Sequence, residues 1–118
     1  MDREFKHHRE YLEVSFSGES TFSNLNELLD QIAKECEKKN HKKVMVDLVN
    51  VKGSLSEIDR FKIGEKIAQL FPIPYRMVSI VKEGKINRFG ENTAVNRGAD
   101  IRVVSDRKDG LEWLLEKK

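Results

Sequence analysis

The sequence predicts an α/β fold: a mixed, mostly parallel sheet of about five strands with four helices and an amino-terminal hairpin at the sheet edge. Three observations carry that expectation. Apolar and polar residues alternate near the amino terminus, apolar residues recur at three- and four-residue intervals further on, and residues 44–49 are almost unbroken apolar. The patterns follow one another as strand, strand, helix and then strand and helix three times, an order that right-handed crossovers turn into parallel inner strands.

Glu4-Phe5-Lys6 and Tyr11-Leu12-Glu13-Val14-Ser15-Phe16 have the period-2 alternation of strands with one wet face, and His7-His8-Arg9-Glu10 between them fits a hairpin turn. Gly18 closes the second strand. Leu25, Leu28, Leu29, Ile32, Ala33 and Cys36 form one stripe of a helix, with Asn24 and Glu27 spaced as a capping box and lysines at the far end, where the dipole favours cations. The run Val44-Met45-Val46-Asp47-Leu48-Val49 reads as a central strand covered on both faces. Ser56 can cap a second helix, with Glu57 and Asp59 in its first turn, Phe61, Gly64, Ile67, Ala68 and Phe71 inward, and Pro72 and Pro74 ending it. Residues 75–81 form the next strand and 86–96 a shorter helix. Ile101-Arg102-Val103-Val104 is the last strand, and Ser105 or Asp106 caps a final helix carrying Leu111, Leu114 and Leu115.

With 118 residues the chain fits a single domain over 1–118, and its 38% apolar content suffices for one core. Lys and Arg number 22 against 20 Asp and Glu, a net charge of +2. These charges are interleaved, not gathered into the stripe of a nucleic-acid binder, so no nucleic acid is expected. No apolar run approaches the roughly 20 residues of a membrane span and no signal peptide opens the chain, so a cytoplasmic protein without a membrane span is expected.

One cysteine permits neither an internal disulfide nor a paired-cysteine metal site. Cys36 belongs to an apolar stripe and reads as a core thiol. His7 and His8 diverge in a turn and His41 lies in a polar loop, so no metal site is expected, and neither a P-loop nor G-x-G-x-x-G is present, so no cofactor is expected. Trp113 reads as a packing residue. The segment 50–59 differs from these. It links the carboxyl end of a central strand to a helix start, the edge at which open α/β sheets bind ligands, and presents Asn50, Lys52, Gly53, Ser54, Ser56, Glu57 and Asp59 as candidate partner-binding residues.

The order of elements, with Val14-Ser15-Phe16-Ser17-Gly18-Glu19 before the first helix and Val46-Asp47-Leu48-Val49-Asn50-Val51 before the second, resembles the STAS family of anti-sigma-factor antagonists and transporter-attached domains. Arg88-Phe89-Gly90-Glu91-Asn92, Asn96-Arg97-Gly98 and Gly110-Leu111-Glu112-Trp113-Leu114 resemble the small stand-alone bacterial proteins of that fold, which have no settled function. The resemblance implies a non-catalytic regulatory or protein-interaction module whose partner is another protein, such as a kinase-like regulator. In antagonists a serine in an Asp-Ser-Ser-Gly motif is phosphorylated. Counted from Asp47, that motif falls on Leu55, Ser56, Glu57 and Ile58, so the usual phosphoserine position holds a permanent carboxylate and Ser54 and Ser56 are the candidate phosphorylation sites. The alternative is a small-ligand protein of the same fold, binding a lipid or nucleotide between helix and sheet. An enzyme would need Asp47, Asp59 and His41 to converge. Lys6, Arg9 and Glu10 protect the edge strand and favour a monomer over a homodimer.

Overall fold

The computed structural model describes residues 2–86 and 89–116. A hairpin of β1 (Asp2–His7) and β2 (Leu12–Glu19) is followed by α1 (Phe22–Lys39), β3 (Lys43–Asp47), the two-residue β4 (Val51–Lys52) and α2 (Glu57–Leu70). Then come β5 (Arg76–Ile80), α3 (Phe89–Asn96), β6 (Ile101–Val104) and α4 (Arg107–Leu115). The sheet runs β1-β2-β3-β5-β6, antiparallel at β1–β2 and parallel at every later pairing, while β4 extends the sheet by pairing Val51 with Gly18 at the end of β2.

From β2 to β6 the chain steps across the sheet in one direction. Right-handed crossovers between strands ordered in this way place their helices on one shared face. Buried side chains sort accordingly. Leu12, Val14, Val44, Val46, Met77 and Ile101 form one core with Leu28, Leu29 and Ile32 of α1, whereas Met45, Val78 and Ile80 form a second with Leu114 of α4. Val44-Met45-Val46 is apolar throughout because successive side chains enter opposite cores.

Helix ends follow local hydrogen bonding. Thr21, not Asn24, caps α1: its hydroxyl accepts from the Asn24 N–H at 3.1 Å, and the Asn24 amide donates instead to the Glu19 carbonyl at 3.0 Å. Thr21 has the extended backbone a cap requires, whereas Asn24 is already helical. Ser56 caps α2 and Asp106 caps α4, each accepting from first-turn amides. On α2 the expected inward Phe61 is 38% exposed, and Ile63, Gly64 and Ile67 turn toward the core. Phe61 instead carries the Arg97 guanidinium 5.3 Å above its ring. Of the third helix expected over 86–96, the structure describes Phe89–Asn96 as helical and Ile86 as not; residues 87 and 88 lie outside the described residues.

The hairpin is tied to α1 through histidines. His7 Nε2 donates to Glu35 at 2.9 Å, which leaves Nδ1 to accept from His41 Nε2 at 3.1 Å. His41 lies in the expected polar loop, between α1 and β3, and is buried there. Burial first, and then His7, His8 and Lys39, hold its pKa below the ordinary 6.5. Hydrogen bonds from Lys38 and then His7 hold the Glu35 carboxyl below its ordinary 4.5, against the smaller opposing effect of its own burial. A histidine depressed in this way supplies stability that is complete above its unfolded pKa and lost as pH falls from there through the lower folded pKa; the carboxyl's contribution is lost at lower pH. The urea midpoint is expected to fall as pH is lowered from about 7.5 to about 5.5, and again below the ordinary Glu value. A His41→Gln variant should flatten only the first step, and a wild-type midpoint that stays level across it would contradict a buried neutral His41.

Candidate functional site

At the carboxyl ends of the parallel strands, between the sheet and its crossover helices, lies a cavity of about 580 Å³ that opens to solvent. Its floor is the sheet itself: Val46, Ser79 and Val103 lie side by side in register on β3, β5 and β6, with Met77 and Ile101 beneath them. Leu25, Leu28, Leu29 and Ile32 of α1 form one wall, and Ile63, Gly64 and Ile67 of α2 another. Small residues keep the space open. Ser79 interrupts an otherwise apolar floor, and Gly64 withholds a side chain where α2 faces the cavity. The volume lies within the roughly 300–1,000 Å³ typical of small-molecule pockets.

The mouth has different chemistry. Arg60 from α2 and Lys82 and Lys85 from the loop after β5 line it, together with Ser54, while Glu91 lines the cavity against β6. Glu91 Oε2 accepts from the Val103 N–H at 2.8 Å, which anchors α3 to β6. Among the described residues, Arg60, Lys82 and Lys85 have no carboxylate within ion-pair distance, so positive charge exceeds negative at the mouth. Gly53, at φ 76, takes the left-handed turn that brings the segment after β4 over the opening.

Of the residues singled out from sequence, Asn50, Lys52, Gly53, Ser54, Ser56 and Glu57 are exposed and Asp59 is half-buried; Gly53 and Ser54 line the cavity. The amides after Asp47 do not form an open cradle. Leu48 donates to the Ile80 carbonyl at 2.8 Å, Val49 to Asp47 Oδ1 at 3.0 Å and Val51 to the Leu48 carbonyl at 3.1 Å. The rim presents the side chains of Asn50, Lys52, Ser54, Ser56 and Glu57 to solvent. Asp47, Asp59 and His41 are held apart: His41 precedes the amino end of β3, Asp47 lies at its carboxyl end bonded to Arg107, and Asp59 sits in the first turn of α2. Cys36 is fully buried, and burial pushes its thiol up to about 11. Trp113 stacks with Arg76 and Arg102, at 4.6 and 5.1 Å from the ring centre. Among the described residues no helix is long and apolar enough to cross a membrane.

Sequence reading missed Arg60, Ser79, Lys82 and Lys85. Signals existed, in a lone serine within an apolar strand and a glycine within a helix, but neither says which other elements converge on it.

A six-stranded, mostly parallel sheet with four helices in this order is a STAS-like fold of the SpoIIAA type. Among solved structures, an uncharacterised protein of the DUF3478 family with a SpoIIAA-like fold, from Shewanella loihica PV-4, matches with a TM-score of 0.57 over 96% of this chain and 92% of that one. The sequences are 17% identical, so the likeness concerns the fold. No family model and no curated protein matches the chain.

Proposed function

We propose that this chain is a non-catalytic module that binds a small apolar molecule in the cavity between its sheet and helices. One observation carries the reading: a cavity of about 580 Å³ whose floor and walls are mainly aliphatic while its mouth is charged. Moving an apolar chain from water onto such a surface contributes about 0.8 kcal/mol per buried methylene. The test is titration with anilinonaphthalene sulfonate, whose fluorescence rises in apolar surroundings. The wild type is expected to give a saturable rise, and Ser79→Trp, which fills the floor, to weaken binding at least about tenfold with unchanged circular dichroism. Ser54→Trp at the exposed rim blocks the mouth without touching the core and serves as the second variant. Equal binding by wild type and both variants would place the probe elsewhere and defeat the proposal.

A second reading is favoured by Ile58, which is 68% exposed between Glu57 and Asp59. It takes Asn50, Lys52, Gly53, Ser54, Ser56, Glu57 and Asp59 as the contact surface for a protein whose own face is apolar and ringed by cations. This agrees with the regulatory role the family resemblance implies. A purified partner should bind the wild type and lose at least about tenfold in affinity to Ile58→Asp and to Glu57→Lys. Unchanged affinity in both would remove the surface from consideration. Phosphate on Ser54 or Ser56 in native protein would add a switch to it.

A further inference from the structure

Resting on the small-molecule reading, we infer that the ligand is an anionic amphiphile, a single apolar chain ending in a carboxylate, with its head at Arg60, Lys82 and Lys85. The polarity of the site is graded along its depth. Val46, Met77, Ile101 and Val103 at the floor offer no side-chain hydrogen bond, and Ser79 contributes the one hydroxyl there. Apart from that hydroxyl, these floor residues give a polar ligand no side-chain partner. A nucleobase placed at that depth would leave its own edge unpaired, at a desolvation cost that a hydrocarbon chain does not incur. The cavity takes a ligand of ordinary small-molecule size, which suits one chain better than a two-chain lipid.

The head group follows from charge. Arg60 is half-buried on the first turns of α2, and Lys82 and Lys85 are exposed on the loop after β5, so cations approach the mouth from two separate elements. Among the described residues lining the site Glu91 is the acidic one, and one of its oxygens accepts from the Val103 amide, which holds that carboxylate against β6. An anion entering between the cations gains charge-assisted hydrogen bonds, whereas a neutral alcohol of equal chain length gains only burial.

The experiment is calorimetric titration of wild-type protein with decanoate and with decanol, each below its aggregation range. Decanoate should bind at least about tenfold more tightly at low salt, and the preference should shrink in about 1 M salt, where the Debye length is about 3 Å. The triple variant Arg60→Gln, Lys82→Gln, Lys85→Gln should lose the preference and keep its decanol affinity. Equal affinities in the wild type, or a preference that survives in the triple variant, would overturn the head-group assignment while decanol binding upholds the cavity. Failure of both compounds to bind would overturn the assignment and the small-molecule reading together.

Discussion

Replacing Arg76 with alanine is expected to lower the free energy of unfolding by about 3 kcal/mol. Arg76 is 7% exposed although it carries a full charge. Its Nε donates to Asp100 Oδ2 at 3.0 Å, its Nη1 donates to the Trp113 carbonyl at 2.8 Å, and its guanidinium lies 4.6 Å from the centre of the Trp113 ring. One side chain thus joins β5, the entry to β6 and the last turn of α4. Truncation leaves the carbonyl and the carboxylate without this donor; Asp100 is a third exposed, which moderates the cost relative to a fully buried pair. Arg76→Lys should recover only part of the loss, because an ammonium cannot fork between two acceptors and stack on a ring. Denaturant unfolding at neutral pH reads the difference, and a loss below about 1 kcal/mol would mean that the pair behaves as a surface ion pair. The side chain belongs to the α4 face, so ligand binding by folded Arg76→Lys should be unchanged.

Gly110→Val is expected to cost a similar amount, about 3 kcal/mol, and Gly110→Ala about 1 kcal/mol. A Cβ at position 110 would meet Ile80 Cδ1 at 2.8 Å, Val104 Cγ2 at 3.0 Å and Val78 Cγ2 at 3.2 Å. The backbone of α4 rests almost directly on β5 and β6 here, inside a core where Ile80 and Val78 are fully packed. Alanine gains nearly 1 kcal/mol of helix propensity over glycine, which offsets part of the overpacking; valine gains less and adds two more carbons to the contact. Calorimetric unfolding of the two variants orders them, and an alanine variant more stable than wild type would contradict so close an approach.

The elements whose identity depends on one face were legible in the sequence. Leu25, Leu28, Leu29 and Ile32 all lie on the one face of α1 that turns toward the core, so their spacing alone marks the helix. Val44-Met45-Val46 marks β3 because both of its faces are covered. α2 is harder to read, since it meets both α1 and α3 and apolar residues on more than one side blur the stripe; the spacing points Phe61 inward, where Ile63 lies instead. The cap of α1 was ambiguous because Ser20, Thr21, Ser23 and Asn24 are all capping types, and the backbone angle at Thr21 decides among them. His41 does lie in the loop between α1 and β3, but its burial is not legible locally because its partner, His7, lies 34 positions away.

The general rule that parallel sheets bind ligands at their carboxyl edge points to the segment 50–59, of which Gly53 and Ser54 line the cavity. The cavity itself is not legible, because Ser79, Gly64, Arg60 and Lys82 come together only through the packing of separate elements. No local pattern encodes empty space.

Amide chemical shifts measured by nuclear magnetic resonance while decanoate is added would locate the ligand on the fold. The largest changes are expected at Val46, Gly53, Ser79 and Val103, around the cavity, with small changes at Leu111 and Leu114 on the opposite face of the sheet. Changes concentrated on α4, or confined to the exposed surface around Ile58, would contradict binding in the cavity.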